Sequence, residues 1–217
     1  MKYMIHACLQ RGWYVREYLV PSMLAQGIPE SDIEVWMDTE RHGNLRSCVE
    51  SFKSCLDRPG GTWHMQDDVL IAHDFAERTA AHDDGVVTTF YHRRWEDLPP
   101  TPGRVPAAYM WNSFPCIRIP NDIAAGFADW VYTDAANRPD LAPFVATGKK
   151  DDFLWRHYYL ENYKDTWVFN IAPHVVEHID WMIGGSVINK WRGHIARAEL
   201  WEDAQAVEDL KNKLARR

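Results

Sequence analysis

Positive charge is in short supply in this chain. Its 217 residues carry 24 Lys and Arg against 31 Asp and Glu, a formal net charge of -7. That balance argues against broad, non-specific attraction to nucleic acid or anionic membrane and leaves only a local basic groove open. Cysteine is sparse as well. Cys8, Cys48, Cys55 and Cys116 form no C-x-x-C pair and stand in apolar contexts, so they read as buried thiols of a reducing, cytoplasmic compartment. No apolar run reaches the length of a membrane span, and the start Met1-Lys2-Tyr3-Met4-Ile5-His6 lacks the apolar stretch of a signal peptide. There is no internal repeat, no low-complexity tract and no linker. With 46% hydrophobic residues the chain can bury one substantial core.

Tryptophan is abundant. The eleven span Trp13 to Trp201; most belong in the core, although an indole can also stack on a sugar or a base. Apolar spacing alternates between period 2 and period 3.6 in the first half. Strands are expected over 3–9, 33–37, 62–66 and 86–91. Helices are expected over 13–26, bent by Pro21 and ended by Gly27 and Pro29, and over 45–56 and 74–81. Residues 98–106 read as a proline-rich loop, and 107–119 as strand structure interrupted by Pro115. Helices follow at 123–132, capped by Asn121 or Asp122, and at 152–163, with a strand at 167–171. Strands alternating with helices imply an α/β fold with a mainly parallel, doubly wound (Rossmann-like) sheet and helices on both faces. Residues 1–195 form one domain in this reading. Residues 196–217 form a C-terminal amphipathic helix, carrying Leu200, Ala204, Val207, Leu210 and Leu214, that packs on the domain or on a second copy in a homo-oligomer.

In such sheets ligands collect at the carboxyl ends of the strands. That rule places Gln10 and Arg11, Asp38 and Thr39, and Asp67 and Asp68 along one rim. The last two are the most informative. They are adjacent carboxylates in an otherwise apolar run from Gly61 to Ile71, and burying such a pair demands compensating charge. A divalent metal is the natural candidate, since carboxylate oxygens suit Mg²⁺ or Mn²⁺. The plainer reading is an acidic turn that ends a strand and caps the next helix.

The strand, Gln66-Asp67-Asp68-Val69 and the helix opening near Phe75 resemble the acidic segment of nucleotide-sugar glycosyltransferases of the GT-A fold. The likeness is to the lipopolysaccharide-type enzymes and to small bacteriophage-encoded ones. Pro173-His174-Val175-Val176-Glu177-His178, followed by Gly184-Gly185-Ser186, is similar to their late Pro-x-x-Val-x-His segment and downstream serine. Gln66 replaces the first acid of the commoner pattern, which leaves the site one charge fewer.

The resemblance implies a metal-dependent transferase that moves a sugar from a nucleotide-sugar donor to an acceptor, which could be a polysaccharide, a protein or a modified DNA base. Mn²⁺ or Mg²⁺ would stabilise charge growing on the diphosphate leaving group. By resemblance, Asp68 binds the metal, Asp67 binds the ribose or reaches the metal through water, and His178 is a late-chain metal ligand; otherwise His178 is a structural histidine. From rim position, Asp38 can accept a hydrogen bond from a nucleobase and Arg11 can meet base, ribose or phosphate, against a turn carboxylate and a solvated arginine. Asn44 caps the following helix or touches the nucleoside. An inverting enzyme also needs a base. Asp151 and Asp152 resemble the acidic pair in that role, with Asp152 ahead, and the alternative is plain helix capping. Two other functions remain: a non-catalytic glycan- or nucleic-acid-binding protein on the same fold, and a nucleotidyltransferase, which the lack of a glycine-rich loop near the first strand disfavours.

Overall fold

A computed structural model describes residues 1–80, 85–89, 102–107, 114–185 and 201–217. Strand β1 (Lys2–Cys8) leads into helix α1 (Gly12–Tyr14), which continues through a π-helical turn, Val15–Leu19, into α2 (Val20–Ala25). The wider turn lies just before Pro21, which has no N–H to donate to the preceding turn. The chain then forms β2 (Ile33–Asp38), α3 (Asn44–Lys53), β3 (Gly61–Gln66), β4 (Val69–Ile71) and α4 (Phe75–Ala80). Next come β5 (Thr88–Thr89), β6 (Gly103–Pro106), β7 (Cys116–Pro120), α5 (Asn121–Thr133), α6 (Ala142–Thr147) and α7 (Asp151–Tyr163). Strands β8 (Trp167–Asn170) and β9 (Val176–His178) and helix α8 (Ala204–Leu214) complete the described strands and α-helices.

Seven strands make one sheet in the order β2-β1-β3-β7-β5-β8-β6, and β4 pairs with β9 in a separate two-stranded sheet. Five strands of the large sheet point one way, whereas β7 and β6 run against their neighbours. The fold is therefore mixed α/β, with a central sheet mostly parallel in strand direction. The period-2 pattern does not reveal this, because alternation is the same in either direction. Two elements differ from expectation. Gly103–Pro106, expected as loop, is an edge strand, with Pro106 at its end, where a missing N–H costs little. β7 begins directly after Pro115 rather than being interrupted by it. The remainder of the expected segments at 81–84, 90–101 and 108–113 lies outside the described residues.

Alternation divides the core in two. Tyr3, Ile5, Ala7, Trp63 and Met65 pack on one face with Tyr14, Leu19 and Phe75, and with Val207 and Leu210 of α8. His6 and His64 face the other way, against Phe52 of α3, which joins Phe127 of α5 and Trp155 of α7. Helices thus cover both faces. The C-terminal helix packs on its own domain, but its seam is Ala206, Val207, Leu210 and Leu214; Ala204 is exposed and Leu200 lies outside the described residues. Asp203 ties it down, accepting from Ala206 N at 2.9 Å and from His73 N at 2.8 Å. Trp63 and Trp155 are fully buried, as expected of core indoles, while Trp167 is exposed. No helix among the described residues is long and apolar enough to cross a membrane.

Candidate functional site

The parallel register Cys8↔Asp38 and His6↔Gln66 aligns the carboxyl ends of β2, β1 and β3. The rim expected from sequence therefore exists, and Arg11, Asp38, Asp67 and Asp68 stand on it. Asp67 and Asp68 form the turn between β3 and β4, and both are buried.

Within the protein, Arg11 supplies one positive charge to this pair. Its Nη1 donates to Asp67 Oδ1 at 3.0 Å and also to Asp68 Oδ2, while Nη2 donates to the Gly185 carbonyl at 2.9 Å. Arg11 is therefore not the solvated arginine of the alternative reading: it is buried against two carboxylates. Asp67 also accepts from Cys8 N at 2.7 Å. Its carboxyl is nevertheless held above the usual carboxylate range, by burial first and by the charge of Asp68 next. Asp68 goes the other way. Burial would raise it, but His178 and Arg11 outweigh that and hold it well below the usual range.

The antiparallel pairing of β4 with β9 sets Val69 opposite His178. It brings His178 Nε2 to 3.1 Å from Asp68 Oδ2, and His178 Nδ1 lies 3.6 Å from Asp180 Oδ1. Burial disfavours the imidazolium, yet Asp68 and Asp180 keep the pKa above its ordinary value. Asp68, His178 and Asp180 offer one ligand atom each, all within 4.8 Å of one another. Asp68 Oδ1 is buried without a hydrogen-bond partner among the described residues. Two carboxylates, an imidazole and an unused buried oxygen fit a divalent cation, and the nitrogen donor suits Mn²⁺ better than Mg²⁺. Asp180 is the residue that sequence reasoning missed. The signal was there: His178-Ile179-Asp180 is an i, i+2 pair, and on extended backbone such residues share a face. Ser186, in the late segment, lies outside the described residues.

The remaining candidates form a second cluster. Asp38 accepts from His42 N at 3.0 Å and Gly43 N at 3.3 Å, so its carboxylate holds the turn after β2 and its expected role toward a nucleobase gains no support. Gly43, at φ 90°, opens α3; a Cβ there would meet the Gly148 carbonyl at 2.7 Å, so glycine permits the two loops to touch. Asn44 does not cap α3. It is the helix's first residue, and its Nδ2 donates instead to Asp151 Oδ1. Asp151 and Asp152 open α7, with Lys150 rather than either acid at the N-cap. Asp152 Oδ1 accepts from Phe153 N at 2.8 Å. Burial, then the neighbouring charge of Asp152, push the Asp151 carboxyl up to about 7, a value suited to proton transfer near neutrality. Among the described residues, no hydrogen bond or ion pair joins Asp151 or Asp152 to the Asp67–Asp68 cluster.

Set beside known proteins, the chain matches no family model, and no curated protein matches it.

Proposed function

We propose that this protein is a glycosyltransferase that uses a nucleotide-sugar donor, built on a doubly wound GT-A-like core and assisted by Mn²⁺ or Mg²⁺. The observation that supports the reading best is the buried meeting of Asp68 with His178 and Asp180 at the carboxyl end of β3. Asp68, His178 and Asp180 would hold the cation, which when bound would supply positive charge to the diphosphate as it leaves. Asp67 keeps Arg11 at the rim. Asp151, with its raised pKa, or Asp152 would take the acceptor proton if the reaction inverts configuration. Thermal shift with a panel of nucleotide sugars, with and without Mn²⁺, tests the binding step, since a ligand that binds the folded state raises apparent stability. Mn²⁺-dependent stabilisation by one donor, with slow hydrolysis of that donor when acceptor is absent, is the expected result. A donor that leaves the melting curve unmoved in both conditions argues against it.

A second reading rests on Arg11. Its guanidinium already offsets one charge of the acidic pair, which would suit a non-catalytic glycan- or nucleic-acid-binding protein that needs no metal. Such a protein binds its ligand equally well in a chelator and leaves nucleotide sugars intact.

A further inference from the structure

Arg11 and a divalent cation compete for Asp68. Asp68 Oδ2 already accepts from Arg11 Nη1 and faces His178 Nε2 at 3.1 Å, which leaves a cation Oδ1 of the same carboxylate. A cation among Asp68, His178 and Asp180 would lie beside a guanidinium held on the same carboxylate, and like charges in a buried site repel strongly. Asp67 has an anchor of its own in Cys8 N and does not depend on Arg11 for its position. The Arg11 backbone is fixed by its turn, with Arg11 N donating to Cys8 O at 3.1 Å and Tyr14 N to Arg11 O at 2.9 Å. The side chain is what can move. Its Nε is buried with no partner among the described residues, a donor of the guanidinium fork left over in the present arrangement.

We propose that Arg11 is a resident counter-ion that releases Asp68 when a divalent cation binds and turns its freed N–H groups to the diphosphate which that cation carries. The inference rests on the metal-assisted reading above. It assigns the adjacent acids separate tasks: Asp67 keeps the guanidinium near the rim, and Asp68 exchanges it for the metal. A planar guanidinium suits the second partner, since its paired N–H groups match phosphate oxygens as well as carboxylate oxygens. The apo protein thereby avoids two unpaired buried carboxylates, and cation and diphosphate binding become coupled through one side chain.

The test is a calorimetric Mn²⁺ titration of the full chain, followed by titration of inorganic pyrophosphate into the Mn²⁺-loaded protein. Wild type is compared with Arg11→Met, Arg11→Lys and Asp180→Asn. Arg11→Met should bind Mn²⁺ at least about tenfold more tightly, because a competing charge is gone. It should then bind pyrophosphate about tenfold more weakly, because the phosphate fork is gone. Arg11→Lys should fall between, and Asp180→Asn should bind Mn²⁺ about tenfold more weakly than wild type, which separates this site from exposed acids. Should Arg11→Met not fold, Arg11→Met with Asp67→Asn restores the charge balance and carries the same expectations. Mn²⁺ binding by wild type that Arg11→Met fails to tighten overturns the exchange and leaves the metal reading standing. Absence of Mn²⁺ binding by every variant removes both.

Discussion

His178 Nε2 lies 3.1 Å from Asp68 Oδ2, on a strand that pairs antiparallel with the one following the acidic pair. Asp68 is therefore a held charge, not merely a repelled one. Removing it takes a carboxylate from Arg11, which keeps Asp67 and the Gly185 carbonyl, and from His178, which keeps Asp180, and breaking a buried pair costs about 3 kcal/mol. Asp68→Ala should lose that much stability in denaturant unfolding with a chelator present, and should lose any stabilisation by Mn²⁺. An Asp68→Ala protein as stable as wild type in the chelator would mean that repulsion from Asp67 dominates at this turn.

Asp151 gives a pH signature with a definite sign. Its folded pKa, pushed up to about 7, lies above the ordinary carboxylate value, so the folded state retains a proton that the unfolded state releases. The associated stability is fully present below about pH 4 and is lost as pH rises through 7. Asp151→Asn cannot ionise and keeps an oxygen for the Asn44 amide. It should match wild type near pH 4 and exceed it at pH 8 by about 2–4 kcal/mol, at about 1.4 kcal/mol per pKa unit. Unfolding curves at the two pH values decide this. A difference that does not change with pH would place the Asp151 carboxyl in the ordinary range. If Asp151 is also the base, the same variant loses turnover while donor affinity stays unchanged.

Local pattern carried much of this fold. Period-2 runs marked β1, β2 and β3, period-3.6 runs marked α3, α7 and α8, and their alternation placed Arg11, Asp38 and the acidic pair on one rim. Pairings between distant segments were not legible. Strand direction at β7, the edge strand β6 and the β4–β9 pair depend on which segments meet, and side-chain type does not encode that. The same limit applied at the site. The sequence shows that Asp67 and Asp68 need a cation, but an arginine and a metal satisfy that need alike, and only the folded chain reveals Arg11 between them. Asp38 read as a nucleobase acceptor or a turn carboxylate, and it is the turn role that the His42 and Gly43 amides show; Asn44 read as a cap or a nucleoside contact because its partner, Asp151, is set by how loops close.

Gly126 offers a test of the second core. Exchanging a glycine inside a helix for alanine ordinarily gains about 1 kcal/mol. Here a Cβ would run into the Tyr158 hydroxyl, which donates to the Ile123 carbonyl at 3.2 Å. Gly126→Ala should therefore cost about 1–3 kcal/mol, as overpacking does. Adding Tyr158→Phe removes the clashing oxygen and should restore most of the loss. A stabilised Gly126→Ala single variant would show that Tyr158 can swing clear of α5.

Asp180 can serve the cluster in two ways, and a double-mutant cycle separates them. It is buried, with Oδ1 3.6 Å from His178 Nδ1, and its own carbonyl accepts from Gly185 N at 2.6 Å. If Asp180 only orients the imidazole, its effect on Mn²⁺ passes through His178 and vanishes once His178 is gone. If it is a ligand in its own right, the two losses add. The cluster geometry, with donor atoms of all three residues within 4.8 Å, favours the ligand role. Asp180→Asn should then lower Mn²⁺ affinity about tenfold in wild type and again, by a similar factor, in His178→Ala. Because asparagine retains an oxygen that can accept from the ring N–H, a purely orienting residue tolerates the change. Equal Mn²⁺ affinity for His178→Ala with and without Asp180→Asn would reduce Asp180 to an orienting partner and leave Asp68 and His178 as the protein ligands at that position.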